Sequence, residues 1–206
     1  FKPLEGTTYF TTENDNAKAP FILVGYHGPD TRNDLPATYA ADVFSFILGL
    51  QSSKFQKALV DGGLAYQAAI GYQTCKYTGP INVQLVPNPM KMKEAYQELQ
   101  KQISLFDTDD YFTDEQLEMA KNQLAIQDTY SKEKTSDFVH TVTFWWASAS
   151  INYYTDYVAN LKKVTRADIK KYVQQYIKGK PSVTGLLISP QMKAMAKVDS
   201  METLAK

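Results

Sequence analysis

The segment LGLQSSKFQKALVDGGLAY, residues 48–66, holds the helix end, the turn and the strand start that decide the fold. Gly49 ends an apolar helical stripe, and Ser52 can cap a second, short helix that continues to Leu59. The Gly-Gly pair that follows supplies a turn that tolerates positive φ, because glycine has no Cβ. The segment therefore predicts a helix, a short helix, a tight turn and a strand, in this order.

Hydrophobic patterning on both sides of this segment predicts further strands. Five stretches have strand character, at residues 7–12, 20–27, 65–77, 81–86 and 183–188. In the fourth stretch, Ile81, Val83 and Leu85 alternate with polar residues. Such alternation is typical of a sheet that has one covered face.

Helical signals occupy the remaining regions. Asn33 or Asp34 can cap the first helix, a capping box begins at Thr113, and Thr165 can cap the last long helix. A further helical region covers residues 136–161. The resulting order, β-β-α-α-β-β-α-α-α-α-β, predicts an α+β two-layer sandwich, with a mainly antiparallel sheet that carries its helices on one face.

This architecture leaves the second face of the sheet free for a companion half-molecule. No linker divides the chain, so we expect residues 1–190 to form one domain and residues 191–206 to form a polar C-terminal tail. The 22 basic residues balance the 22 acidic ones, which argues against a nucleic-acid partner. The longest apolar run is too short to span a membrane.

The histidine count argues against a metal site in this chain. A zinc peptidase site needs two histidines one helical turn apart and a glutamate that activates water. The chain has two histidines, His27 and His140, and neither has a second histidine within one helical turn or a glutamate at the required offset. We therefore expect no metal ligand and no catalytic residue in this chain.

Two other groups could carry chemistry. Cys75 lies on a predicted strand, and a hydrolase built on its thiol would need a partner histidine that the sequence does not identify. The carboxylates Asp107, Asp109 and Asp110 are typical of a loop between two helices, since the further ligands of a calcium loop are not evident.

Four stretches together resemble the pitrilysin/insulinase family of zinc metallopeptidases. Besides residues 48–66, they are residues 21–29, 114–124 and 157–190, so that the resemblance covers residues 20–190. Members of this family consist of two similar α/β halves that face each other across a cleft, and only the first half holds zinc. This chain resembles the second, non-zinc half.

The resemblance also implies which residues contact a peptide. The second half of active members often presents an arginine on the short helix and a tyrosine on the following strand. Tyr66 matches the tyrosine, whereas Leu59 occupies the arginine position and cannot donate a hydrogen bond. Lys57 is offset by two residues and points to another side of the helix.

Two functions follow from the resemblance. The first is a non-catalytic, substrate-binding lobe that closes the peptide chamber of a zinc metalloendopeptidase, with zinc in a partner half of the same polypeptide or in a paired subunit. The alternative is a degenerate member that acts as a binding or scaffold subunit without proteolysis. On either view the isolated chain is expected to be inactive, and the family favours a bacterial periplasmic or cell-envelope setting.

Overall fold

The computed structural model describes residues 2–132 and 135–206, with residues 135–137 described by their backbone only. Its centre is a five-stranded sheet in the order β1-β5-β2-β4-β3. Neighbouring strands are antiparallel except β1 and β5, which are parallel. The strands are β1 Thr8–Glu13, β2 Phe21–His27, β3 Ala65–Tyr72, β4 Pro80–Pro87 and β5 Val183–Ile188. The predicted α+β fold with a mainly antiparallel sheet is confirmed.

Helices make up the second layer and the connections. They are α1 Leu35–Gly49, α2 Lys54–Gln56, α3 Met92–Leu105, α4 Asp114–Tyr130, α5 Thr135–Ser148, α6 Ile151–Thr155, α7 Tyr157–Leu161, α8 Arg166–Tyr176, α9 Pro190–Ala196 and α10 Met201–Ala205. A π-helical turn, Lys57–Asp61, continues α2, and a 3-10 turn, Pro89–Lys91, precedes α3. No helix in the described ranges is long and apolar enough to cross a membrane.

One face of the sheet is buried under the helices. Val24 on β2 and Val83 on β4 are paired in register and are fully buried, and both belong to the same core as Phe44 of α1. The Phe44 ring packs edge-on against Phe106 at the end of α3, with ring centroids 5.2 Å apart. The alternate residues, such as Leu23 and its partner Gln84, lie on the opposite face and are only partly exposed.

Side-chain caps define the helix starts. Asp34 is the N-cap of α1 and accepts a hydrogen bond from the backbone N–H of Ala37 at 3.3 Å. Ser53, and not Ser52 as expected, is the N-cap of α2 and accepts from the Gln56 N–H at 3.2 Å. Ser53 is buried, whereas Ser52 is exposed. The capping box predicted for α4 is present, and the predicted cap of α8, Thr165, also forms a capping box with Asp168.

Strand β3 ends at Tyr72, five residues earlier than the sequence suggests. The Gln73 N–H donates to the Pro80 carbonyl, but Pro80 has no N–H with which to continue the ladder. The chain then turns towards the connection between β2 and α1, where the Thr31 N–H donates to the Cys75 carbonyl at 3.0 Å. Cys75 therefore lies in a loop and not on a strand.

The helical region 136–161 is interrupted twice. It consists of α5, α6 and α7, which are separated at Ala149–Ser150 and at Asp156. Ser150 has an extended backbone, and its hydroxyl caps α6 by accepting from the Tyr153 N–H at 3.0 Å. A serine in this role ends one helix and begins the next.

The C-terminal segment, for which the sequence suggested a polar tail, folds as α9 and α10. Met201 is fully buried and Leu204 nearly so, because these two apolar residues face β1 and α3. The Met201 N–H donates to Thr11 Oγ1 at 2.8 Å, and Lys193 pairs with Glu13 at 2.7 Å. The remaining polar residues of this segment are mostly exposed.

The two glycines after the short helix are required for different reasons, which gives a stability prediction. A Cβ at Gly62 would lie 2.5 Å from the Ala58 carbonyl oxygen, and Gly63 has a φ of +67°. Gly62→Ala and Gly63→Ala should each lower the free energy of unfolding by about 1–2 kcal/mol in urea denaturation followed by circular dichroism.

Gly49→Ala is the matched control. Gly49 is the last residue of α1, and a Cβ there would meet no atom within 4 Å. Alanine at this position should leave stability unchanged or raise it by up to about 1 kcal/mol, since glycine is a poor helix residue. Equal stabilities of the three variants would contradict this account of the turn.

Candidate functional site

A β-bulge turns the Tyr66 side chain out of the sheet. The ladder between β3 and β4 shifts between Ala65 and Gln67, so that Ala65 is buried while Tyr66 and Gln67 are both exposed. With regular alternation, Tyr66 would share the covered face of Ala68. Bulges commonly re-aim a side chain in this way.

Tyr66 is the most accessible aromatic residue of the sheet. Its exposed fraction is 65%, and its hydroxyl makes no hydrogen bond with any described residue. The neighbouring open face is nearly flat at Ala69 and Gly71, because alanine has only a methyl group and glycine has no side chain. An extended peptide could therefore approach the Tyr66 ring and hydroxyl without displacing another side chain.

Leu59 has the opposite environment. It lies on the π-helical turn, is fully buried and belongs to the main core. Lys57, two residues earlier, is exposed on the same turn. The position at which the resemblance places a substrate-contacting arginine is thus a packing position in this chain.

The short helix is held firmly against its surroundings. Gln56 Nε2 donates to the carbonyl of Leu48 at 3.1 Å and to that of Ala68 at 2.8 Å, which ties α2 to the end of α1 and to β3. Lys54 pairs with Asp110 at 2.7 Å, and Gln116 Nε2 donates to Ser52 Oγ at 3.1 Å. The role of Gln56 was not evident from the sequence, because Ala68 is twelve residues away.

The two histidines lie on different elements of the fold. His27 is exposed at the end of β2, and His140 is exposed on α5. Within residues 2–132 and 138–206, no three His, Cys, Asp or Glu side chains are grouped so that they could hold a metal ion. The residues present therefore do not fit the zinc that the family implies for its active half.

The acidic loop between α3 and α4 is a set of ion pairs. Asp107 pairs with Lys178, Asp109 with Lys170 and Asp110 with Lys54. A hydrogen bond from Lys178 lowers the pKa of Asp107, and one from Lys54 lowers the pKa of Asp110. These carboxylates are therefore already neutralised by cations of the chain, which supports the expectation of a structural loop.

A sequence profile and solved structures identify what this chain is similar to. The profile of the peptidase M16 inactive domain matches residues 2–124. Among curated proteins, no sequence match is found.

Three solved structures illustrate the likeness of fold. A protease from Helicobacter pylori has 21% identity and a TM-score of 0.76, over 90% of this chain and 45% of that one. An inactive peptidase domain from Bordetella parapertussis has 17% identity and a TM-score of 0.73, over 84% of this chain and 92% of that one. The periplasmic protease PqqL from Escherichia coli has 15% identity and a TM-score of 0.66, over 90% of this chain and 21% of that one. The chain thus spans less than half the length of the first and third of these proteins.

Metal analysis gives a direct check on the histidines. Because His27 and His140 lie on separate elements and neither belongs to a group of metal ligands among the described residues, the purified chain should contain far less than one equivalent of zinc after dialysis. His27→Ala and His140→Ala should not change this content. If the chain bound stoichiometric zinc and either substitution removed it, that histidine would be a zinc ligand, contrary to this prediction.

Restoring the arginine should damage the fold instead of creating a peptide contact. Leu59→Arg places a guanidinium in the core, so we expect the free energy of unfolding to fall by roughly 2–4 kcal/mol. Lys57→Arg, on the exposed side of the same turn, is the control and should be neutral. Unchanged thermal stability of Leu59→Arg would mean that position 59 can reach solvent.

Proposed function

Because this chain belongs to the peptidase M16 family, the pitrilysin/insulinase zinc metallopeptidases, as an inactive domain, we propose that it forms the non-catalytic, substrate-binding lobe of a zinc metalloendopeptidase. In this proposal it closes a peptide chamber opposite a zinc-bearing half. That half is another part of the same polypeptide or a paired subunit. The outward-turned, unpaired Tyr66 is the observation that carries the proposal.

The sheet supplies the wall of the proposed chamber. Helices cover one face, and the other face presents small and uncharged polar side chains such as Ala69, Asn82 and Gln84 on one side and the apolar Leu23 and Phe10 on the other. Such a surface can lie along an extended peptide without selecting strongly for its charge. Since the described residues include no group of side chains that could hold a metal ion, water activation and peptide-bond cleavage would belong to the other half.

Tyr66 would hold the peptide by a combination of ring contact and hydrogen bonding. Its ring offers apolar area, and its hydroxyl can donate to a peptide carbonyl or accept from an N–H. The carbonyl of Ala68 on the edge strand already accepts from Gln56. Strand addition along β3 is thus partly obstructed, and the side chain of Tyr66 is the main contact in this proposal.

The absence of an arginine changes how the lobe would bind. A guanidinium provides a rigid fork of donors for carbonyl or carboxylate groups. With Leu59 in the core, this lobe would rely on Tyr66 and on the open sheet face. Its affinity for a peptide should therefore be lower, and less dependent on salt, than the affinity of a lobe that has the arginine. The proposed setting is the bacterial periplasm or cell envelope, and the likeness to a periplasmic protease supports it.

Reconstitution tests the proposal. The chain combined with its zinc-bearing half should cleave peptides, and Tyr66→Phe should lower kcat/KM about 2- to 10-fold, since one hydrogen bond contributes about 0.5–1.5 kcal/mol. Tyr130→Phe is the matched control, because Tyr130 has the same exposed fraction of 65% but lies on α4. It should have no effect.

The same experiment separates the second candidate function, a scaffold subunit without proteolysis. The burial of Leu59 favours this candidate, because one of the two implied peptide contacts is missing. Stable association with the partner without cleavage would support the scaffold. Full activity of the isolated chain, or equal effects of Tyr66→Phe and Tyr130→Phe, would refute the substrate-binding lobe.

A further inference from the structure

A cavity of about 370 Å³ lies among the helices, away from Tyr66. It is bounded by α1, α4, α5, α6, α7 and the loop after β3. Gln73 and Thr74 line it from that loop, whereas Tyr66 lies at the other end of the same strand, about 20 Å away along the strand direction. Its volume is in the range of small-molecule sites.

Five aromatic rings line the cavity. The lining rings belong to Phe144, Trp145, Tyr153, Tyr154 and Tyr157. Trp145 and Tyr153 pack with ring centroids 4.8 Å apart, so the wall is braced by its own contacts. The Tyr154 hydroxyl is buried and has no hydrogen-bond partner among the described residues.

A single unpaired carboxylate faces this aromatic wall. Asp42 on α1 accepts a hydrogen bond from the Tyr157 hydroxyl through Oδ2 at 2.9 Å. No cation in the described part of the chain forms an ion pair with it, and its Oδ1 accepts no hydrogen bond there. Burial raises the pKa of Asp42 to about 7, while the hydrogen bond from Tyr157 opposes that shift.

The second carboxylate of the lining is already neutralised. Asp128 pairs with Lys132 at 2.6 Å, and the Lys132 ammonium lies 5.1 Å from the centre of the Tyr154 ring. At the rim of this cavity, the ammonium group of Lys132 thus contacts both a tyrosine ring face and a carboxylate. Asp42 also offers a carboxylate next to a tyrosine, Tyr157, but no cation in the described part of the chain pairs with it.

We propose that this cavity binds a small organic amine, whose ammonium group pairs with Asp42 and whose apolar body packs on the rings of Trp145, Tyr153 and Tyr157. The electron-rich faces of tyrosine and tryptophan attract cations, and a carboxylate in an apolar wall favours a partner of opposite charge. An anion would be repelled by the Asp42 carboxylate, and a neutral ligand would leave that carboxylate without an ion-pair partner.

The retention of an unpaired carboxylate in such a wall supports a binding role. Alternatives of the same shape, such as asparagine, would also accept the Tyr157 hydrogen bond and would not need to be desolvated as a charge. Titratable groups with strongly perturbed pKa values cluster at functional sites. The inference is independent of the peptide surface around Tyr66, because the two places share no lining residue.

Calorimetric titration of the purified chain with phenethylamine tests the proposal, with phenethyl alcohol as the uncharged analogue of the same shape. The amine should bind saturably and at least tenfold more tightly than the alcohol. Asp42→Asn should abolish this preference, whereas Asp61→Asn, an exposed carboxylate on the π-helical turn, should retain it. In a Trp146→Phe background, the amine should also change the fluorescence of Trp145.

Three results would overturn the proposal. They are the absence of saturable amine binding, equal affinities of the unaltered chain for the amine and the alcohol, and an amine preference that survives Asp42→Asn. The comparison of amine with alcohol uses the unaltered chain, so it decides the question even if Asp42→Asn folds poorly.

Discussion

The structure depends on the burial of one face of the sheet under α1. Val43, Phe44, Ile47 and Leu48 of this helix are fully buried against the sheet and the neighbouring helices. At about 1.5–3 kcal/mol for each large apolar side chain removed from water, this contact is a major source of stability. Because side chains alternate along strands, covering one face leaves the other uncovered, and that second face is the basis of the proposed peptide surface.

The segment that follows α1 divides its residues between these two environments. The π-helical turn directs Leu59 into the core, and the bulge at the start of β3 directs Tyr66 outward. Gln56 links this segment to both α1 and β3, so the orientation of Tyr66 depends on the same contacts that bury Leu59. Of the two positions at which the family resemblance implies a peptide contact, one therefore faces outward and the other is part of the core.

Helix α1 also carries Asp42, which no local sequence pattern marks as a binding residue. It follows a run of small apolar residues and appears in the sequence as an ordinary polar position. Its surroundings come from α4, α5, α6 and α7, about 80–115 positions later in the chain. Only their packing converts a helix-surface carboxylate into an unpaired group that faces aromatic rings.

The sequence by itself determined the strands, the main helices, the capping box of α4 and the lack of a paired histidine, because these features rest on local patterns and residue counts. Tertiary structure alone decided that β1 lies parallel to β5, that β3 ends where Pro80 stops the ladder, that Ser53 caps α2, and that Met201 is buried. It also decided the outward turn of Tyr66 and the surroundings of Asp42. The Ser53 cap is a local hydrogen bond that its burial selects over Ser52. The other features depend mainly on contacts between residues far apart in the chain, and such contacts leave no local signal.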